Sequence, residues 1–164
     1  MENMIHFSFS ASDILEEVKK ITSYIAKNRI SEGLVPVDAI IQEQDEAIFL
    51  TFLGNAEAKV YDCLSAYCKT PVCDSSGEED ESSDGGNVDF YLSLPETFNK
   101  NSARQINTEI RNALTSHVLA EWLLIASPKE AESYLGKAEQ SEKNLRFKLT
   151  NRTKTVIRPL TSFP

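Results

Sequence analysis

Two short segments of the chain alternate apolar and polar residues, which is the pattern of half-buried β-strands. In the first, Ile5, Phe7 and Phe9 alternate with polar residues, and in the second every other position of residues 88–94 is apolar. A lone strand leaves its backbone hydrogen-bonding groups unpaired, so the two segments are predicted to pair with each other. Two strands predict a small sheet and not a β-domain.

Four longer segments have apolar residues at a spacing of three and four, which predicts helices. The first begins after Ser10 or Ser12 and ends near Arg29. The second runs from near Glu43 toward Lys69, where Thr70-Pro71 ends it. Its 3.6-residue spacing continues through Gly54, so one helix is predicted there. The third begins at Asn101 or Ser102, and the fourth carries its apolar row at Ala131, Leu135, Ala138, Leu145 and Leu149, interrupted by Glu142.

The junction between the third and fourth helices is the sharpest boundary in the chain. In Ser127-Pro128-Lys129-Glu130, Ser is a good N-cap, Pro suits the first helical position and Glu suits the third. Such a short connection predicts that the two helices pack antiparallel as a hairpin. The preceding segment Val118–Ala126 is apolar nearly all round, so it is predicted to be the most buried, with Trp122 at the centre of the core.

These elements predict a mainly α fold: a bundle of about four helices with a small two-stranded β element and an extended basic C-terminal tail. A chain of 164 residues fits one domain, predicted over residues 1–150. Residues 74–87, here called the acidic segment, contain no apolar side chain and are predicted to form a disordered loop. Residues 151–164, here called the C-terminal tail, lack helical periodicity and contain Pro159 and Pro164.

The net charge of −8 is unevenly distributed along the chain. Residues 1–100 have a balance of −12, whereas residues 101–164 have a balance of +4. Such polarity favours head-to-tail contact between copies or docking on an acidic partner, although two independently solvated regions would give the same distribution. The tail bases are expected to bind a neighbouring copy or another acidic protein surface; they are Arg152, Lys154 and Arg158. An acidic chain repels nucleic acid everywhere except at that tail.

Location and cofactors follow from what the sequence lacks. Its longest apolar run is residues 122–126, against the roughly 20 residues that a membrane helix needs. Residues 1–29 form no continuous apolar signal region.

The three cysteines are an odd number, which favours reduced thiols in the cytoplasm. They are Cys63, Cys68 and Cys73, too widely spaced for a zinc motif. No metal or cofactor is expected, and Cys63 or Cys68 is interpreted as a small buried hydrophobe.

No catalytic motif is present: the sequence has no nucleophile elbow, phosphate-binding loop or zinc-protease motif. His117 and Glu121 have the i, i+4 spacing of an acid–base pair, and a cysteine could also lie beside His117 in space. A histidine on a core-facing helix is otherwise a structural or interfacial residue. No enzymatic activity is expected.

Three segments of the C-terminal half carry a family resemblance: FYLSLP at 90–95, HVLAEWLLIASPKEAESYL at 117–135 and NRTKTVIRPL at 151–160. In this order they resemble small structural proteins of phage and prophage modules from gut anaerobes. The resemblance implies a virion assembly component, such as a head–tail connector or tail-completion subunit. Such proteins act as rings of identical helical subunits, whose arms reach neighbours and other virion proteins.

Two other classes of function remain open at this point. One is a cytoplasmic helical binding or regulatory module whose basic tail contacts an acidic protein or nucleic acid. The other is an enzyme built around His117 and Glu121. A ring of copies would favour the assembly protein. Salt-sensitive binding of nucleic acid would favour the regulatory module, and a polar cleft that holds His117 would favour the enzyme.

Overall fold

A computed structural model describes residues 3–31, 40–69, 86–95 and 98–150. In these ranges the predicted mainly α fold, with four helices and a small two-stranded sheet, is confirmed. The C-terminal tail lies outside the described residues. The elements in chain order are β1 (Asn3–Ser10), α1 (Ala11–Ser31), α2 (Glu46–Leu64), β2 (Asn87–Leu94), α3 (Ala103–Ala126) and α4 (Pro128–Thr150), with 3₁₀ turns at Glu43–Asp45 and Lys100–Ser102.

The sheet forms as the alternating segments predict. β1 and β2 are antiparallel, with Phe7 opposite Phe90. Their inward-facing side chains join one core with residues of all four helices. On the outer face His6 stacks on Tyr91 at a ring-centroid distance of 4.4 Å, and its Nε2 lies 2.8 Å from a carboxylate oxygen of Asp89. The sheet is therefore stabilised by apolar burial on one face and by cross-strand polar contacts on the other.

The junction between β1 and α1 corrects one boundary of the acidic segment. α1 begins directly after Ser10, and the Ala11 N–H donates to the Gly86 carbonyl at 2.7 Å. Asn87 is the first residue of β2 and lies opposite Ser10. Gly86 and Asn87 therefore belong to the folded structure, although the sequence placed both in a disordered loop. Residues 74–85 lie outside the described residues. Backbone hydrogen bonds need no apolar side chain, so composition could not show this.

α2 continues through Gly54 as predicted but ends at Leu64, before Lys69. The chain then turns, and Cys68 forms a bridge with Leu92 on the edge of β2 away from β1. The Ser93 N–H donates to the Tyr67 carbonyl at 2.8 Å. The N–H groups of Tyr67 and Cys68 still donate to the Leu64 carbonyl, whereas the Tyr67 carbonyl and the Lys69 N–H pair with β2. The chain thus joins the sheet instead of extending the helix.

The predicted hairpin of α3 and α4 is confirmed. Only Ser127 separates the helices, and its carbonyl accepts from the N–H groups of Glu130 and Ala131, both at 3.0 Å. The end of α4 lies beside the start of α3, where Lys148 Nζ donates to Gln105 Oε1 at 3.2 Å. At the other end, Ala131 packs in a cluster with Leu123. The two helices are therefore antiparallel.

The most buried part of α3 is not where the sequence placed it. Seven consecutive residues, Ala113–Leu119, are buried, whereas Leu124 is 63% exposed and Ile125 is 85% exposed. Trp122 is only partly buried at the margin of the core, so the prediction that it lies at the centre is wrong. Near the C-terminal end of α3, Leu123 faces the core and packs with Ile25 of α1 and Ala131 of α4.

One apolar position of α4 was also assigned wrongly. Leu135, placed by the sequence in the apolar row of the helix, is 43% exposed. The other members of that row are buried: Ala131, Ala138, Leu145 and Leu149. Within the ranges that the structure describes, no helix has an apolar stretch long enough to cross a bilayer.

Substitutions at two positions of α3, one in its buried run and one in its last turn, test this distribution of burial. Leu119→Ala should lower the free energy of unfolding by about 2–5 kcal/mol, because Leu119 is fully buried. Ile125→Ala should change it by no more than about 0.5 kcal/mol, since this side chain is mostly exposed. Urea denaturation followed by circular dichroism measures both. Similar losses in the two variants would show that the last turn of α3 belongs to the core.

Candidate functional site

A buried polar pair joins α3 to α4. His117 is 4% exposed, and its Nε2 lies 2.7 Å from Oε1 of Glu142. Because a carboxylate can only accept, the ring nitrogen is the donor. The other ring nitrogen, Nδ1, is buried and has no hydrogen-bond partner. Glu142, the residue that interrupts the apolar row of α4, is therefore the partner of a buried histidine.

Glu121 is not the partner that the i, i+4 spacing suggested. Its carboxylate accepts from Lys59 Nζ at 2.7 Å and from Asn55 Nδ2 at 2.9 Å, both on α2. Burial raises the pKa of Glu121. The hydrogen bonds from Asn55 and Lys59 and the charges of Lys59 and His117 lower it by more, so the pKa lies below its ordinary value. Glu121 is thus a charged link between α2 and α3.

The two described cysteines are half-buried thiols. Cys63 Sγ lies 3.7 Å from the backbone carbonyl of Glu142. Burial raises the pKa of Cys63, and it raises that of Cys68 to about 11. Since the thiolate is the nucleophile, neither thiol is activated at neutral pH. Cys73 lies outside the described residues.

A groove lies on the surface near the turn between α3 and α4. It has a volume of about 630 Å³ and lies between α2, the end of α3 and the start of α4. Leu124 and Ile125 from α3 and Leu135 from α4 are its most exposed apolar side chains. We call this surface the apolar groove; it is lined by Phe52, Lys59, Ala120, Glu121, Leu124, Ile125, Pro128, Ala131, Glu132 and Leu135.

Fixed contacts hold the walls of the apolar groove in place. On one side the ring of Phe52 meets that of Trp122 edge to face, with centroids 6.3 Å apart. On the other side Arg29, in the last turn of α1, donates to the Ser127 hydroxyl and lies 3.5 Å from a carboxylate oxygen of Glu130. The turn between α3 and α4 is therefore tied to α1, and the groove is formed without a partner.

The charges along the apolar groove are mostly acidic. Lys59 is neutralised by Glu121, which leaves the Glu132 carboxylate at the edge. Glu139 lies two helical turns further along α4 on the same side and is exposed. Within the described ranges neither Glu132 nor Glu139 forms an ion pair. A basic ligand would therefore find two unpaired carboxylates on this side of α4.

The sequence had placed Leu124 and Ile125 in the most buried segment and Leu135 in the apolar row of α4, because a run of apolar residues usually marks a buried helix. The geometry of a helix could have shown that these residues are not all buried. Successive helical residues are rotated by about 100°, so Leu123, Leu124 and Ile125 cannot all face the same neighbour. The predicted partner-binding residues, Arg152, Lys154 and Arg158, lie outside the described residues, so the structure does not place them.

Comparisons with protein-family models, with curated proteins and with solved structures found no match to this chain.

The contribution of the buried pair is measurable by substitution. Glu142→Ala should lower the free energy of unfolding by about 1–3 kcal/mol, because it leaves the buried His117 donor without a partner. Glu142→Gln keeps an acceptor oxygen and should cost less. Replacing both residues, as His117→Phe with Glu142→Leu, should cost less than the sum of the single changes. Urea denaturation of the wild type, the four single variants and the double variant tests this, and an unaltered midpoint for Glu142→Ala would contradict it.

The raised pKa of Cys68 predicts slow alkylation in the folded protein. At pH 8 a thiol with a pKa of about 11 is almost entirely protonated, so iodoacetamide should modify Cys68 at least ~10-fold more slowly than in the urea-unfolded chain. The rate should keep rising as the pH approaches 11, where the thiolate forms. Site-resolved mass spectrometry measures the rate for each cysteine. Equal rates for Cys68 in the folded and unfolded protein would contradict the expectation.

Proposed function

We propose that this protein is a non-enzymatic assembly subunit that acts through self-association and protein–protein contacts. The apolar groove carries the proposal. A surface with large apolar side chains next to each other, bordered by charged residues, is typical of a protein interaction site. Ile125 is the most exposed large apolar side chain among the described residues, and Leu124 adjoins it.

The polar candidates for catalysis make contacts between helices, which supports a structural role for them. His117 is 4% exposed and its Nε2 is already hydrogen-bonded to Glu142, so little of the ring is open to a substrate. The pKa of Cys63 is raised by burial, which opposes formation of a nucleophilic thiolate. These contacts connect helices of the bundle, as expected of a subunit whose function lies on its surface.

The distribution of charge favours one type of assembly. The chain is acidic in its first 100 residues and basic after them, with Arg152, Lys154 and Arg158 in the C-terminal tail. A contact between two different surfaces of identical subunits is heterologous, and it produces a ring when the rotation between copies closes. The proposed assembly is therefore head-to-tail, with the tail bases among the contacts.

The finer proposal is a virion component of the head–tail connector or tail-completion kind. It is supported by the resemblance of residues 90–95, 117–135 and 151–160 to structural proteins of phage and prophage modules. A ring of copies seen by electron microscopy would support this proposal. Salt-sensitive binding of nucleic acid by a protein that stays monomeric would favour the regulatory module instead.

Ile125→Asp should weaken self-association, because it places a charge in the apolar groove. Since Ile125 is 85% exposed, the melting temperature should stay unchanged. The matched control is Tyr24→Asp on α1, a side chain that is 67% exposed and lies outside the groove. Sedimentation velocity over a concentration series measures the association of all three proteins. A wild-type protein that is monomeric throughout, or a variant that associates equally well, would refute the proposal.

A further inference from the structure

Much of the apolar surface in the apolar groove is not covered by other residues of the subunit. Leu124, Ile125 and Leu135 remain exposed, and Phe52 and Ala131 line the same groove. The volume of about 630 Å³ lies within the range of sites that bind a ligand or a short peptide segment. An occupant of this groove has to bring apolar side chains and, to match Glu132 and Glu139, positive charge.

One segment of the chain has this chemistry. The C-terminal tail contains three bases and no acid. Its apolar residues come between and after those bases, and they are Val156, Ile157, Leu160 and Phe163. Pro159 and Pro164 oppose helix formation, so such a segment would bind as an extended peptide. Its composition is therefore complementary to the apolar groove in both hydrophobicity and charge.

We propose that the apolar groove binds the C-terminal tail of a neighbouring copy. The proposal rests on the self-association proposed above and names the two surfaces that meet. One subunit provides the groove, and the next provides Val156, Ile157, Leu160 and Phe163. The bases of the bound tail lie near Glu132 and Glu139 on α4.

The position of the tail explains why the neighbour supplies it. The tail begins after Thr150, whereas the groove residues of α4 lie at the other end of that helix. The 15 residues from Leu135 to Thr150 span about 22 Å of helix. Even a fully extended chain moves only about 20–22 Å between Thr150 and residue 156. Val156 and Ile157 would therefore stop at the edge of their own groove, and only a second copy can place all four apolar residues inside one.

A mixing experiment with two full-length variants tests the proposal. The first variant, Ile125→Asp, has a damaged groove and an intact tail. The second, Ile157→Asp with Leu160→Asp, has a damaged tail and an intact groove. Each alone should associate at least ~10-fold more weakly than the wild type in sedimentation velocity. Mixed in equal amounts they should form a heterodimer and no larger species, because only one functional groove–tail contact remains.

Controls separate loss of association from loss of folding. Circular dichroism should give both variants the wild-type melting temperature, and Tyr24→Asp should associate as the wild type does. A fluorescent peptide of residues 151–164 should bind the tail variant and bind Ile125→Asp at least ~10-fold more weakly. Its binding should weaken as salt rises, because charge pairs contribute.

The alternatives give different results. If the tail variant associates as strongly as the wild type while Ile125→Asp does not, copies meet groove to groove and this inference fails although the proposed function survives. If each variant is weakened but the mixture forms no heterodimer, the tail binds elsewhere and the inference also fails. If the wild type is monomeric at every concentration, the proposed function itself is refuted.

Discussion

The burial of α3 over two full turns is the constraint on which the rest of the structure depends. Ala113–Leu119 is buried on every side of the helix, which requires neighbours all around it. α1, α2 and α4 all contact α3, and the side chains of both strands extend the same core. Burial on all sides also encloses polar groups, since Thr115, Ser116 and His117 belong to this run. Glu142 supplies the partner that His117 then needs.

The same helix leaves the core at its C-terminal end, and this change of environment creates the apolar groove. Leu123 still packs against α1 and α4, but the next two residues face outward. Arg29 fixes the turn that follows, through Ser127 and Glu130. One segment of α3 thus lies in the core of the bundle, and the next presents an exposed apolar surface. The residues that stabilise the fold therefore differ from those that form this surface.

The sequence was a good guide wherever one element determines its own structure. Strand alternation, helical spacing and the Ser127-Pro128 junction predicted both strands, all four helices and the hairpin. Predictions from the sequence were wrong where burial or pairing depends on a contact with another element. Leu124, Ile125 and Leu135 resemble core residues, because apolarity does not reveal whether another helix covers them. After Leu64 the chain leaves the helix and forms hydrogen bonds with β2, a contact that the spacing along α2 does not reveal. The pairing of His117 with Glu142 depends on the crossing of two helices, which spacing along one helix cannot show.

The pairing of β1 with β2 also has a consequence for biosynthesis. The hairpin of α3 and α4 connects neighbouring segments, but 76 residues separate Ser10 from Asn87, which lie opposite each other. Closing that loop costs about 2–3 kcal/mol more than closing a four-residue turn. At a translation rate of 5–20 residues per second, Leu94 is added roughly 4–17 s after Ser10. Throughout that interval Phe7 and Phe9 have no strand to pair with, so β1 of the nascent chain stays uncovered by its partner until β2 has been made.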